Sequence, residues 1–332
     1  MAQVCRQYAN DTQPPGGLPR QEPRAFAAGD ARRLLQEETM KDLSLLTWKE
    51  IKALDKKKSI VFVVLAPIEE HGLCLPLATD LLEGLHWSRG AMARVEAALD
   101  AECCYLPPFP VAAASVTGFY GSIHFTMKTT YDVARAILES LCCMDFMHII
   151  VIASHADPQH QIAVEKAVRK VNRSYGTRAM APMGPIFMGA GAAQAEAVRR
   201  MQQEHADDYH AGWVETSCML DIDRSSVRDG YRQLPDSEIS GRDMIFRKKQ
   251  EKAMGVYGHI GSPQYATAEL GKLLNENCIA SLCDSVVCFY KRSGYQRYAQ
   301  YPLYAILPLH LGFLGMAGKV RRRSPEKRRQ GA

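Results

Sequence analysis

Two stretches of this chain are almost continuously apolar and β-branched: "SIVFVVLAP" at residues 59–67 and "FMHIIVIAS" at 146–154. Runs of that length and composition predict strands buried on both faces of a parallel sheet. Between and after them the pattern changes to a helical period. Residues 129–144 place Val133, Ile137 and Leu141 at four-residue intervals, which predicts an amphipathic helix. Residues 80–98 and "QHQIAVEKAVRKVNRSYG", ending at Gly176, predict two more. "CCYLPPFPVAAAS" reads as a strand running into a loop, and further helices are expected over 192–206 and from near Ala266. "TWKEIKAL" opens on a capping box, Thr47 with Glu50 three residues later. Strand–helix alternation of this kind predicts an α/β fold, a three-layer α/β/α sandwich around a mostly parallel central sheet.

The ends look different. Residues 1–39 are rich in Pro, Gly, Gln, Arg and Ala without periodicity, and are expected to form a flexible leader. Met40 is expected to mark the start of the fold, with one domain over 40–305 and a C-terminal extension over 306–332. The formal net charge of +5 is misleading, because "KVRRRSPEKRR" at 319–329 carries seven basic and one acidic side chain. Without that stretch the chain stands at about −1, so no nucleic-acid or membrane partner is expected of the folded part. No apolar signal segment precedes the domain, and "ILPLHLGFLGMAG" is too short to span a bilayer. Ten cysteines occur without CxxC spacing, including the doublets Cys103-Cys104 and Cys142-Cys143. Buried free thiols in a reducing cytoplasm are the expectation.

Candidate chemistry gathers where the strands end. Glu69, Glu70, His71 and Asp80 follow the first apolar run, Ser154, His155 and Asp157 follow the second, and "DDYHAGWVETS" adds Asp207, Asp208, His210 and Glu215. Carboxyl ends of parallel strands are where such folds bind ligands. Imidazoles and carboxylates together suit Zn²⁺, Mn²⁺ or Fe²⁺. Each residue also has a plain structural reading. Asp80 and Glu83 have capping-box spacing, Glu70 reads as solvated, His155 as a loop histidine, and Glu215 as the partner of a surface Arg. His124, in "GFYGSIHFT", reads equally as a pocket or a loop residue. "GAGAAQAE" lacks a full phosphate-loop fingerprint and reads as a helix-opening loop.

Four motifs in order resemble the signatures of the creatininase (creatinine amidohydrolase) family and cover about residues 45–275. In "APIEEHGLCLPLATD" the matching residues are Glu69, His71, Gly72, Leu75, Pro76 and Asp80. "ASHADP", "HAGWVETS" and "GVYGHIGSPQYATAELG" are similar to the second, third and fourth signatures. The resemblance implies a hydrolase with two divalent metal ions (Zn, Mn or Fe). Glu69, Asp80 and His155 would hold one metal, with Asp80 bridging to a second on His71. Either Asp157 or Glu215 would complete that second site. His210 would be the catalytic acid or base, and Ser154 and His124 would contact substrate.

The expected reaction is cleavage of a C–N amide or cyclic amide bond in a small polar molecule by a metal-held hydroxide. Ring opening of a cyclic carbohydrate ketone, or an inactive ligand-binding relative, are the alternatives. Family analogy adds a homo-oligomer, often a hexamer. Cys74 stands where the family usually has a second His, Ala153-Ser154 replace Asn-Gly, and Pro158 replaces a terminal Asn. Trp213 lies at a different spacing from the tryptophans that enclose creatinine. The ligand set thus resembles the family's while the pocket does not, and creatinine is not the expected substrate.

Overall fold

The computed structural model describes residues 40–114, 119–241, 243 and 247–314. The expected leader and the basic tail lie outside them. In chain order the elements are β1 (Lys41–Asp42), α1 (Trp48–Ala53), β2 (Ser59–Leu65), α2 (Thr79–Ala98), β3 (Glu102–Phe109), α3 (Met127–Cys143) and β4 (His148–Ala153). There follow α4 (Pro158–Ser174), β5 (Arg178–Met180), α5 (Met183–Phe187), α6 (Glu196–Glu204), α7 (Trp213–Ile222), α8 (Arg247–Met254) and α9 (Ala268–Tyr290). The capping box of α1 is formed: Thr47 N–H donates to Glu50 Oε2 at 2.7 Å, and Glu50 N–H donates to Thr47 Oγ1 at 3.4 Å.

The strands pair in parallel in the order β1-β3-β2-β4-β5. All seven residues of β2 are buried, as an apolar run without alternation requires. Successive side chains go to opposite faces. Val61, Val63 and Leu65, with Ile149, Val151 and Ala153 of β4, pack on Leu138 and Leu141 of α3 and on Val164, Val168 and Val171 of α4. Ile60, Phe62 and Val64, with Ile150 and Ile152, face Trp87, Met92 and Val95 of α2 and Ile279, Leu282 and Val286 of α9. At about 1.5–3 kcal/mol for each large apolar side chain removed from water, these two layers supply the main stabilisation of the sheet.

The chain leaves β2 toward β3 through α2 on one face, and leaves β4 toward β5 through α4 on the other. The carboxyl ends of neighbouring β2 and β4 are therefore the topological switch point, where a crevice opens. A third cluster, built on Trp213 and Met219 of α7 with Leu274 of α9, also takes in Cys74 and Leu75 from the loop after β2. It ties that loop to α7.

Beyond α9 the chain continues in 3-10 turns at Pro302–Ala305 and Leu307–Leu314. Tyr301, Leu309 and Phe313 pack with Met127 of α3 and Ile162 of α4, and the Tyr301 amide donates to buried Glu165 at 2.7 Å. The described cysteines are free thiols. Cys103, Cys104 and Cys142 are buried, but Cys143 is exposed, so the second doublet is not buried throughout as its apolar run suggested. Among the described residues no helix is long and apolar enough to cross a membrane.

Candidate metal centre

After Leu65 the chain turns back on itself. The Glu69 amide donates to the Leu77 carbonyl at 3.0 Å, and Gly72 takes φ +65°, a conformation that favours glycine. Helix α2 then starts at Thr79, after Ala78, which makes no side-chain cap. Asp80 and Glu83 therefore do not form the capping box their spacing allows; they lie inside the first turns with both carboxylates buried. Ser154, at the end of β4, donates its hydroxyl to the Asp80 carbonyl at 2.7 Å. Gly84 makes room for it, since a Cβ there would lie 2.3 Å from Ser154 Oγ. The proton of Ser154 thus fixes the start of α2 against the sheet, and its hydroxyl oxygen keeps its capacity to accept.

Five side chains from three segments converge in the crevice. Asp80 Oδ2 lies 3.0 Å from His155 Nδ1, and Asp80 Oδ1 lies 3.3 Å from His71 Nε2. Glu69 Oε2 is 3.5 Å from His155 Nδ1, and Glu215 Oε2 is 3.9 Å from His71 Nε2. Two groups suited to a cation result, Glu69–Asp80–His155 and His71–Asp80–Glu215, with Asp80 common to both. A third, Glu69–His71–His210, overlaps them.

Both Glu69 oxygens, His71 Nε2, Asp80 Oδ2 and His155 Nε2 are buried without a hydrogen-bond partner. One orphaned polar atom costs roughly 1–3 kcal/mol. Glu69, His71 and Asp80 each leave such an atom within the groups suited to a cation, and the nitrogen and oxygen donors suit a divalent transition metal.

The electrostatics agree. Burial raises Glu69 to about 7, against the pull of His155. Burial would also raise Asp80, but His71 and His155 outweigh it and hold the carboxyl well below its ordinary range. His155 is disfavoured by burial, yet Glu69 and Asp80 bring it to about 10, and His71 is raised in the same way, chiefly by Asp80. The buried carboxylates thus favour positive charge at this point, which a bound cation would supply. Glu83, buried beside Glu215 and Asp80, is pushed well above the usual carboxylate range, by burial first. His160, at the start of α4, faces the Leu65 carbonyl through Nε2 at 3.1 Å, and burial lowers it to about 3. A neutral imidazole therefore anchors the end of β2.

His210 is paired by its backbone with Ile260 and faces His71, with ring centroids 4.7 Å apart. Its Nε2 lies 2.8 Å from the Glu70 carbonyl and 3.3 Å from Glu70 Oε1. Glu70 is therefore not the solvated bystander its position in a polar run suggested: it is buried, and its Oε2 accepts the Gly72 amide at 3.0 Å. The turn after His210 puts Ala211 at φ +51° and delivers its amide to Glu215 Oε2 at 2.5 Å. Asp208 accepts the Trp213 amide at 2.6 Å, which seats the start of α7. A Cβ at Gly212 would lie 2.0 Å from that carboxylate.

Asp157 stands apart from the cation-suited groups. Its Oδ1 accepts the Gln159 amide at 2.7 Å, capping α4 ahead of Pro158. His124 is half-buried on a segment that flanks the site, where Ile123 pairs with Ile68 and Ser122 Oγ accepts the Glu70 amide at 2.9 Å. It joins none of the groups. Cys74 packs into the third cluster, and burial raises its thiol to about 11. Sequence reasoning missed Glu70 and Glu83 as parts of the site. For Glu83 a signal existed, since i+3 spacing puts it on the helix face of Asp80.

A parallel α/β/α sheet with histidines and carboxylates buried at its switch point defines an α/β protein built around a cation-suited site. The chain belongs to the creatininase family, described as creatinine amidohydrolase, whose sequence pattern matches residues 44–286. A search of curated proteins finds no match. Among solved structures, a mutant creatininase complexed with creatine shares 16% identity, covering 76% of this chain and 99% of its own, with a TM-score of 0.59. A protein from Bacteroides fragilis assigned as a creatinine amidohydrolase shares 20%, covering 77% and 98%, with a TM-score of 0.57. A mutant creatininase of Zn-Zn type shares 17%, covering 74% and 96%, with a TM-score of 0.56. At these identities the likeness establishes the fold.

Proposed function

We propose that this protein is a metal-dependent hydrolase cleaving a C–N amide or cyclic amide bond in a small polar molecule. The observation that carries the reading is Asp80, whose two oxygens each approach a different histidine inside the buried cluster. Glu69, Asp80 and His155 would hold one divalent ion, and His71, Asp80 and Glu215 a second; Zn²⁺, Mn²⁺ or Fe²⁺ suits these donors. Such ions, when bound, supply Lewis acidity toward a carbonyl and bring the pKa of water toward neutrality.

The chain's own groups would do the rest. Asp80, fixed by Ser154 and Gly84, sets the spacing of the two halves. His210, beside His71, would pass a proton to the departing nitrogen. Glu215 is favoured over Asp157 as the last carboxylate, because Asp157 is engaged as a helix cap. Cys74 packs in the core, so the departure there removes no member of the cluster; this favours an active enzyme over an inactive relative. Trp213 is fully buried in α7, which supports a substrate other than creatinine. The exposed apolar side chains Leu73, Leu77, Tyr120 and Ile123 around the site-bearing loop support a homo-oligomer. The free thiols support a cytoplasmic location.

The test is elemental analysis of the purified protein, joined to a product screen over small amides and cyclic amides. Two metal ions per chain are expected, with release of ammonia, amine or formate that stops on chelation and returns with Zn²⁺ or Mn²⁺. Protein that takes up neither ion would end this reading. Ring opening without nitrogen release would move the assignment to a cyclic carbohydrate ketone.

A further inference from the structure

The end of β4 is held by a side chain from the helix that follows it. Gln161, in the first turn of α4, is buried, and its Nε2 donates to the Ala153 carbonyl at 2.7 Å and to the His155 carbonyl at 2.6 Å. Both amide protons are used on the two residues that flank Ser154, so one side chain clamps the turn that presents His155. Turned over, the amide would set its oxygen against two carbonyls, and only the observed orientation satisfies them.

The clamp is backed by chain that lies beyond α9, outside the residues that the family pattern matches. Tyr301 is buried there. A Cβ on Gly184 of α5 would lie 2.7 Å from Tyr301 Cδ2 and 3.0 Å from Gln161 Oε1, so the ring and the amide flank a gap that glycine leaves. Tyr301 also packs with Ile162 and Ala163, the next two residues of α4. Its backbone is tied separately, through the amide bond to Glu165, which pairs with Arg169 at 2.6 Å. Further along, a Cβ on Gly312 would lie 2.9 Å from Gln159 Oε1. The segment 301–313 therefore meets the first turn of α4 at two places.

We propose that Tyr301 is a positioning residue for the metal centre: its ring holds Gln161 against the end of β4, and Gln161 holds His155 where it joins Glu69 and Asp80. The effect on metal binding rests on the hydrolase reading above; the hold on the end of β4 does not.

Tyr301→Ala removes the ring and keeps the amide bond to Glu165, so the segment stays tied while Gln161 loses its backing. Tyr301→Phe keeps the ring, and Gln161→Leu removes the clamp directly. Gly184→Ala, whose Cβ must displace the ring or the amide, reaches the same point should Tyr301→Ala fail to fold. Phe313→Ala is the control for lost packing alone, since Phe313 lies farther along the segment, against Tyr131 and Lys166.

The experiment joins amide hydrogen exchange of the metal-free protein to calorimetric titration with Zn²⁺. Exchange over residues 153–157 should rise about tenfold or more in Tyr301→Ala, Gly184→Ala and Gln161→Leu, and stay at the wild-type rate in Tyr301→Phe and Phe313→Ala. One of two Zn²⁺ sites should weaken by about tenfold or more in the first three variants, and Tyr301→Ala should add nothing to Gln161→Leu, because both act through one clamp. Wild-type exchange over 153–157 in Tyr301→Ala or Gly184→Ala would overturn the proposal. An equal rise in Phe313→Ala would also overturn it, by showing general loosening. Raised exchange with both Zn²⁺ sites at wild-type affinity would cut the tie to the metal centre. Failure of the wild type to bind Zn²⁺ would instead count against the hydrolase reading, and the exchange rates would still decide the hold on β4.

Discussion

Replacing Gly271 by alanine tests how the site is held from outside. In an isolated helix the change is stabilising, by about 1 kcal/mol of propensity. Here a Cβ on Gly271 of α9 would sit 1.8 Å from the Ser217 carbonyl oxygen and 2.5 Å from its carbon, both backbone atoms of α7. Backbone within a packed helix cannot rotate away, so α7 and α9 must separate by roughly 1.5 Å to restore ordinary contact, at the upper end of the usual 1–3 kcal/mol for overpacking. Separation also strains the bond from Asn275 to the Cys218 carbonyl, worth about 1 kcal/mol. The net expectation is a loss of about 2–3 kcal/mol, or roughly 5–8 °C in Tm.

Gly90→Ala is the control. There the Cβ would meet only the Ile279 side chain, at 2.6 Å, which can turn aside. Its effect should stay within about 1 kcal/mol, with propensity offsetting crowding. Urea unfolding of both variants measures the difference. Because α7 carries Glu215, Gly271→Ala should also weaken Zn²⁺ binding in isothermal titration while Gly90→Ala does not. If Gly271→Ala unfolds at the wild-type urea concentration or above it, the reasoning about the α7–α9 crossing is wrong.

Asp157→Ala should remove a helix cap, costing about 1 kcal/mol, and leave the metal content intact, whereas Glu215→Gln should lose about one ion per chain. Elemental analysis of the pair decides, and the opposite pattern would transfer the ligand role to Asp157. Asn275 accepts from Trp87 Nε1 at 2.8 Å and donates to Cys218 O at 3.2 Å and to Asp221 Oδ2 at 2.9 Å. Asn275→Ala should therefore destabilise by about 2–4 kcal/mol in denaturant titration, and a change below 1 kcal/mol would deny the network its weight. His148, first in β4, is held down to about 4 from 6.5 by burial and then by Arg178 and Arg292. The unfolded chain takes up that proton near pH 6.5, so this contribution is full above pH 6.5 and is lost as pH falls toward 4. Partial solvent contact limits it to about 2 kcal/mol. His148→Gln should flatten the decline in Tm between pH 6.5 and 4.5, and a parallel decline would refute the assignment.

The elements of the sheet were legible because burial on both faces leaves a contiguous apolar signal, as in β2 and β4. The short strands were not. Lys41–Asp42 and Arg178–Met180 are held by pairing with neighbours, and two or three residues have no periodicity to read. Glu69, His71, Asp80 and His155 could be picked out because two strand ends bring them together and the family signatures space them alike. Gly271, the last residue of the fourth signature, is explained by a contact no local pattern contains, the Ser217 carbonyl on another helix.

Ser154 and Glu70 show where reading by residue type stops. A serine at a strand end looks available for substrate, and a second glutamate in a polar loop looks solvated. Each is decided by a partner far along the chain. Ser154 meets the Asp80 carbonyl through the gap at Gly84, and Glu70 meets His210 in the space Gly258 leaves open. In both cases a glycine removes a Cβ so that a polar group can be buried against its partner. The glycines beside a cluster of charged residues therefore carry information about the site that the charged residues do not. Gly84→Ala and Gly258→Ala should accordingly disturb the cation-suited cluster and the Glu70–His210 contact respectively, although neither glycine has a functional group to lose.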